Sequence, residues 1–311
     1  MNHKMMNHKI GTSPSSTDAV LNTSFAHKPA SLLALAAAAA LASSSLPTKA
    51  ALYQDGYSDS AAQALAEQYG PSLGRIFFSL DSTPYTASGV FLDDNWVLTA
   101  AHLISNPNGT GDASIIGISQ GATPNSLTPV VSYYVYPGYN GTGNAPDLAL
   151  LYLGPNGVNA PTLAFGSAAP GEVVTSAGFG FYGSPSTGYQ NPEGNARGWY
   201  APVFPSPSGG YSPTYYASTG FFPGLGSLNG RGLGGDSGSP VFNSSGELVG
   251  INIAAEGGLR PIGSTTYLKL NQSDVFGWMN HTFQSVPEPS ALALAGLGAA
   301  TLLASSRRKK G

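Results

Sequence analysis

The amino-acid sequence predicts an all-β protein built from antiparallel strands, and three observations predict it. Charged residues are only 9% of the 311 residues, against about 25% in typical soluble proteins. Glycine (41) and proline (24) together make about a fifth of the chain, which favours short strands and turns over long surface helices. Apolar runs recur at short intervals: Arg75–Leu80, Ala87–Leu92, Trp96–Ala101, Val130–Tyr136, Leu148–Leu153 and Val173–Phe179. Each is bounded by Gly, Pro, Asn or Asp, the pattern of an antiparallel barrel. Hydrophobic residues at 41% supply enough apolar surface for a real core.

Taken in order, the chain opens with a stretch, residues 1–50, that reads as a leader. Lys28 precedes Leu32-Leu33-Ala34-Leu35 and an alanine run to Ala42, an apolar segment too short to span a bilayer and of the length of a signal-peptide core. Cleavage is expected after Ala50. Ser58 to Tyr69 reads as a short helix, with Ser60-Ala61-Ala62-Gln63 as a capping box and Gly70-Pro71 as its stop. Asp93-Asp94-Asn95 forms a turn that delivers the Trp96 strand. From Gly183 to Gly230 the chain is dense in Gly, Ser, Pro and Tyr, expected to be surface loop with some strands inside it, and no spacing gives Tyr211, Tyr215 or Tyr216 a substrate-facing role. A hairpin follows, with Pro240-Val241-Phe242 and Glu247 to Ala254 as its arms. Ser273 is placed to cap a closing amphipathic helix that turns Val275, Phe276, Trp278, Met279 and Phe283 inward.

Charge and cysteine content exclude several classes. Between Ala51 and Ser285 five basic residues, Arg75, Arg197, Arg231, Arg260 and Lys269, face fourteen acidic ones, and so acidic a body repels phosphate backbones, which argues against nucleic acid as a partner. The absence of cysteine removes both a disulfide framework and a thiol nucleophile.

The chemistry centres on Gly234-Gly235-Asp236-Ser237-Gly238-Ser239-Pro240. A serine between glycines can be approached by a substrate, and neighbouring backbone N–H groups can converge beside it. Such a hydroxyl needs a base within hydrogen-bond reach and a third group to orient that base. Outside the leader the histidines are His102 and His281, and only His102 ends a strand-like run. Downstream, Asp147 opens the apolar strand Leu148-Ala149-Leu150-Leu151. A subtilisin-like order would need an acid before His102, where only the turn-type Asp81, Asp93 and Asp94 stand. A hydrolase elbow needs a helix after the serine, where a strand pair follows Ser237 instead, and Gly235-Asp236-Ser237-Gly238-Ser239 fails the Gly-x-Ser-x-Gly pattern.

With the order histidine, aspartate, serine in place, Thr99-Ala100-Ala101-His102, Asp147-Leu148-Ala149-Leu150-Leu151 and Gly235-Asp236-Ser237-Gly238 resemble the three signature blocks of the chymotrypsin-like (trypsin family) serine proteases. The resemblance covers roughly Pro71 to Gln284. Ser239 departs from it, standing where the family usually has glycine. It implies two packed six-stranded antiparallel barrels, the first over about 71–170 and the second over about 171–285, with a short N-terminal and a C-terminal helix. It also implies a serine endopeptidase needing no metal or cofactor: Ser237 as nucleophile, His102 as base, Asp147 as its orienting partner, and the N–H groups of Gly235 and Ser237 as an oxyanion hole. The alternative is an inactive protease-fold module that binds protein or polysaccharide at a surface.

Two further residues take expectations from the resemblance. Arg231, six residues before Ser237, falls where the family places the base of its specificity pocket, and a buried arginine there favours acidic side chains. Asp236 would pair with a freed α-amino group if the protein were a zymogen. Arg75-Ile76 has the composition of an activation junction but reads better as a barrel strand, so no cleavage is expected there.

The end of the chain, residues 286–311, carries a second resemblance. Val286-Pro287-Glu288-Pro289-Ser290, an apolar run from Ala291 to Ala304 and Arg307-Arg308-Lys309-Lys310 resemble the PEP-CTERM sorting signal of Gram-negative bacteria. The resemblance implies export, recognition by an exosortase and removal of the tail at the envelope. Its basic end would stay on the cytoplasmic side while the apolar run sits in the membrane, as it would in a plain single-pass anchor.

Overall fold

A computed structural model describes residues 28–29 and 51–286, apart from residues 81, 106–113, 124–125, 156 and 191–193. In chain order the strands are β1 (Lys28–Pro29) and β2 (Leu52–Tyr53), and helix α1 (Asp59–Glu67) follows. Next come β3 (Leu73–Leu80), β4 (Thr83–Phe91), β5 (Trp96–Thr99), β6 (Ser114–Gln120), β7 (Ser132–Val135), β8 (Ala149–Tyr152) and β9 (Val173–Gly178). Then come β10 (Tyr182–Ser184), β11 (Gly188–Gln190), β12 (Arg197–Phe204), β13 (Tyr216–Phe221) and β14 (Gly230–Arg231). The described chain closes with β15 (Pro240–Phe242), β16 (Leu248–Glu256), β17 (Gly263–Lys269) and helix α2 (Ser273–Ser285).

The protein is mostly β, as expected. Strands β12-β13-β17-β16-β15-β9 close into a six-stranded barrel, while β1-β7-β8-β5-β4-β3-β6 form a curved seven-stranded sheet, the half-barrel partner in a chymotrypsin-like double barrel. Inside the closed barrel Val174, Val203, Ala217, Val241, Val249 and Tyr267 pack together. A larger core joins the halves: Ile76, Val90, Leu98 and Leu150 of the first sheet share one cluster with Phe242, Ile251, Leu268 and the α2 residues Val275, Trp278 and Met279. Burial of this apolar surface is the main force holding the two sheets face to face.

Local chemistry sets the ends of both helices. Ser58 caps α1, its Oγ accepting from Ala61 N at 3.2 Å, so the cap lies two residues before the expected Ser60. The reason is Asp59, whose carboxylate must enter the first turn to hold Arg197 and to accept from Gln63 Nε2 at 2.7 Å. At α2 the cap is Gln272 and makes no side-chain cap bond, so Ser273 is the first helical residue rather than the cap. Val275, Trp278 and Met279 point inward as expected, and the Phe283 ring packs tilted against Trp96 with centroids 5.1 Å apart. Phe276 does not: it is 40% exposed and meets Phe165 edge to face with centroids 5.6 Å apart.

The N-terminal segment docks on the second half of the molecule. Ala51, Leu52 and Tyr53 are all fully buried, β2 pairs with Gly230-Arg231 of β14 and with Gly183 of β10, and Tyr53 Oη donates to Gly198 O at 2.9 Å. β1 adds to the edge of β7. The apolar run Leu32–Ala42, the cleavage point after Ala50 and the tail from Pro287 onward lie outside the described residues. No described helix is long and apolar enough to cross a membrane.

Candidate active site

β5 and β8 pair antiparallel with Thr99 opposite Ala149. The residue three beyond Thr99 and the residue two before Ala149 therefore emerge at the same end of the ladder, and these are His102 and Asp147. Asp147 Oδ1 accepts from His102 N at 2.9 Å, and Asp147 Oδ2 lies 2.7 Å from His102 Nδ1. With Nδ1–H donating to the carboxylate, the other ring nitrogen is the acceptor, and Nε2 lies 2.9 Å from Ser237 Oγ. A longer contact of 3.4 Å joins that Oγ to Ile253 O. Burial of the imidazole opposes its protonation, but the charge of Asp147 and its hydrogen bond outweigh this and raise His102 above the ordinary imidazole range. Asp147 is 6% exposed. His281, the other sequence candidate, sits exposed on α2.

The turn that carries Ser237 is braced from the first sheet. Ser88 N donates to Ser237 O at 3.1 Å, Ser88 Oγ donates to Gly235 O at 2.8 Å, and Thr99 Oγ1 donates to Ser88 O at 2.8 Å. Gly238 has φ +83, and a methyl group there would collide with Ser88 O and Thr99 Oγ1, so only glycine fits. Within the turn, Asp236 N donates to Leu233 O, Gly238 N to Asn252 O and Ser239 N to Asp236 O. The N–H groups of Gly235 and Ser237 are left without an internal acceptor among the described residues. Together these features can raise the nucleophilicity of a serine and receive negative charge on an oxygen beside it.

A family model described as the trypsin-like peptidase domain matches residues 87–251, and a second, the PEP-CTERM protein-sorting motif, matches residues 285–309. The chain belongs to the trypsin-like peptidase family. No curated protein matches it. The sorting motif marks this trypsin-like protein for export and envelope sorting in Gram-negative bacteria.

Two family-level expectations meet particular surroundings in this peptidase domain. Ser239, the departure from glycine, is fully buried and its Oγ accepts from Asn252 Nδ2 at 2.9 Å, so the extra hydroxyl is accommodated without moving the turn away from His102. Asp236 is 1% exposed and accepts from Leu233 N at 3.0 Å and Gly180 N at 3.1 Å. Burial pushes its carboxyl up to about 8 against the pull of those two donors. Arg75 and Ile76 lie mid-strand in β3, paired to β4 on one side and β6 on the other, which agrees with a strand at that position.

Sequence reasoning missed the braces. Tyr216 was one of many tyrosines in a loop-like stretch, yet it is fully buried, its Oη accepting from Asp147 N at 2.9 Å and donating to Ala145 O at 2.5 Å. Tyr211 packs edge-on against it with centroids 4.9 Å apart. Nothing in the spacing of the tyrosines marks either one. Thr99, by contrast, stands inside the block that ends at His102. Arg231 is 1% exposed and lines a cavity of about 310 Å³ together with Ser237.

Proposed function

We propose that the protein is a serine endopeptidase acting through Ser237, His102 and Asp147. The observation that carries this reading is the unbroken hydrogen-bonded series from Asp147 Oδ2 through both ring nitrogens of His102 to Ser237 Oγ. Ser237 Oγ attacks a peptide carbonyl while His102 Nε2 takes its proton, and the resulting imidazolium is held by Asp147. The N–H groups of Gly235 and Ser237 receive the carbonyl oxygen as it becomes an oxyanion. His102 then gives the proton to the departing amine, leaving an acyl group on Ser237 that water removes by the reverse sequence.

The mature body in this reading runs from Ala51 to Ser285, with the first half over about 71–170 and the second over about 171–285. The full burial of Ala51 and the end of α2 at Ser285 support those limits. Residues 1–50 act as the export leader, and residues 286–311 are presented to an exosortase-type enzyme and cut away, with a membrane stage before that cut. Substrates are proteins or peptides, and no metal or cofactor takes part.

Incubation with an unfolded protein tests the activity. Wild-type protein is expected to generate discrete fragments, and Ser237→Ala, which preserves the turn, to lower the rate by at least about 10³-fold. Equal fragmentation by both would refute the assignment. Absence of fragmentation by either would favour an inactive protease-fold module that binds protein or polysaccharide.

A further inference from the structure

Arg231 presents an electrostatic problem that the fold alone does not solve. Its side chain is 1% exposed, and its Nε has no hydrogen-bond partner. Nη1 donates to Gly232 O at a long 3.5 Å and Nη2 donates to Gly258 O. Both acceptors are neutral carbonyls, so among the described residues no carboxylate pairs with this guanidinium. A guanidinium carries five N–H donors and stays charged in proteins. A buried charge without a counterion is costly, and its cost is relieved by an arriving anion. The sequence makes room for it deliberately: Gly263 lies so close that a methyl there would sit 2.9 Å from Arg231 Cδ and Nε.

The place of this charge decides what the anion can be. Arg231 lines the same cavity of about 310 Å³ as Ser237, with Gly232, Leu233, Gly234, Ile253, Ala254, Ala255, Gly258 and Thr265 among its other walls. Apart from Tyr189, Asn252 and Thr265, the uncharged walls are small or apolar. Thr265 Oγ1 is already occupied, accepting from Gly232 N at 2.7 Å. Asp236 also borders the cavity, but its two carboxylate oxygens are engaged by Leu233 N and Gly180 N. The guanidinium is thus the one cationic side chain in a narrow chamber that opens beside the nucleophile.

We propose that this cavity receives the side chain preceding the cut bond and that Arg231 selects glutamate or aspartate there by accepting its carboxylate as a counterion. The proposal rests on the serine-endopeptidase reading above and adds its substrate class. Glutamine, of the same shape, leaves the charge uncompensated, and lysine or arginine adds a second cation to it. A site built around a charged hydrogen-bonding group rejects a substrate lacking the complementary group far more strongly than an apolar pocket rejects a change of size.

Activated phosphonate esters that modify a reactive serine test the two readings separately, using the whole processed protein. A small fluorophosphonate with no side chain reports Ser237 reactivity alone. Two aryl phosphonates carrying a glutamate-like or a glutamine-like side chain report the cavity. Wild type is expected to react about 10²-fold faster with the glutamate-like probe than with the glutamine-like one. Arg231→Gln is expected to bring that ratio near one, with the fluorophosphonate adduct still forming on Ser237, and Arg231→Lys to keep part of the preference. A wild-type ratio near one, or faster reaction with a lysine-like probe, overturns the specificity and leaves the peptidase reading standing. Failure of the fluorophosphonate to react with wild type overturns both. If Arg231→Gln does not fold, the wild-type ratio and Arg231→Lys still decide.

Discussion

At the scale of single residues, the account turns on how His102 is held. In the proposed mechanism only the neutral imidazole can take the proton of Ser237, so hydrolysis is expected to be lost as pH falls through the raised value of His102. The acid limb of kcat/KM is therefore expected to have its midpoint above about 6.5, the ordinary imidazole value. Asp147→Asn removes the charge that raises it, so the limb moves to lower pH and the rate drops by about 10⁴-fold. A limb that stays in place in Asp147→Asn would show that His102 is not the titrating base. Tyr216 acts one step further out, as a positioning residue. Tyr216→Phe leaves Asp147 N and Ala145 O without their partner at a cost of about 1–3 kcal/mol. It is expected to lower kcat several-fold with KM little changed. An equal loss in stability with unaltered kcat would make Tyr216 merely structural. His102, Asp147 and Ser237 were each legible because their blocks are short and contiguous. Tyr216 and Ser88 were not, because a side chain that braces a site across the fold leaves no local pattern in the sequence.

At the scale of elements, strands whose faces alternate or are solidly apolar were legible, and those diluted by small residues were not. The runs at Trp96 and Leu148 became β5 and β8 with boundaries trimmed by one or two residues. The stretch from Gly183 to Gly230 reads as surface loop with some strands inside it, without marking which residues form them; it supplies β12 and β13, two of the six barrel strands, with Trp199 and Phe221 buried. Glycine is required there by close approach: Gly198 lies against Leu65 of α1 and Gly220 against Phe204 and Phe222. The residues that permit barrel closure are the ones that hide the strand pattern. The clamp between α1 and β12 was hidden for a different reason, since its partners are distant in sequence. Arg197, 2% exposed, donates to both oxygens of Asp59 and lies 3.4 Å over the Tyr182 ring. Asp59→Ala strands a buried guanidinium. Because Asp59 itself keeps 36% exposure, the expected loss is discounted to about 2–3 kcal/mol, read as a fall of about 5–10 °C in Tm. A change under about 1 °C would mean that packing of α1, not the ion pair, fixes the N-terminal segment.

At the scale of the molecule, the two halves cooperate on one point. The first sheet contributes His102 and Asp147, and the second half contributes Ser237. The bonds from Ser88 to Ser237 and Gly235 lock the two together across the interface. The double-barrel architecture was legible from turn-bounded apolar runs and from the order of three blocks, while the docking of Ala51, Leu52 and Tyr53 beside the Arg231 strand was not, because two paired residues make no periodic signal. The most direct test of this convergence is the mass of the protein after brief treatment with a fluorophosphonate near pH 8, followed by mapping of the modified residue. The account predicts one adduct, on Ser237, absent in Ser237→Ala and slowed by orders of magnitude in His102→Ala. An unmodified wild-type protein, or an adduct on any other serine, would contradict it.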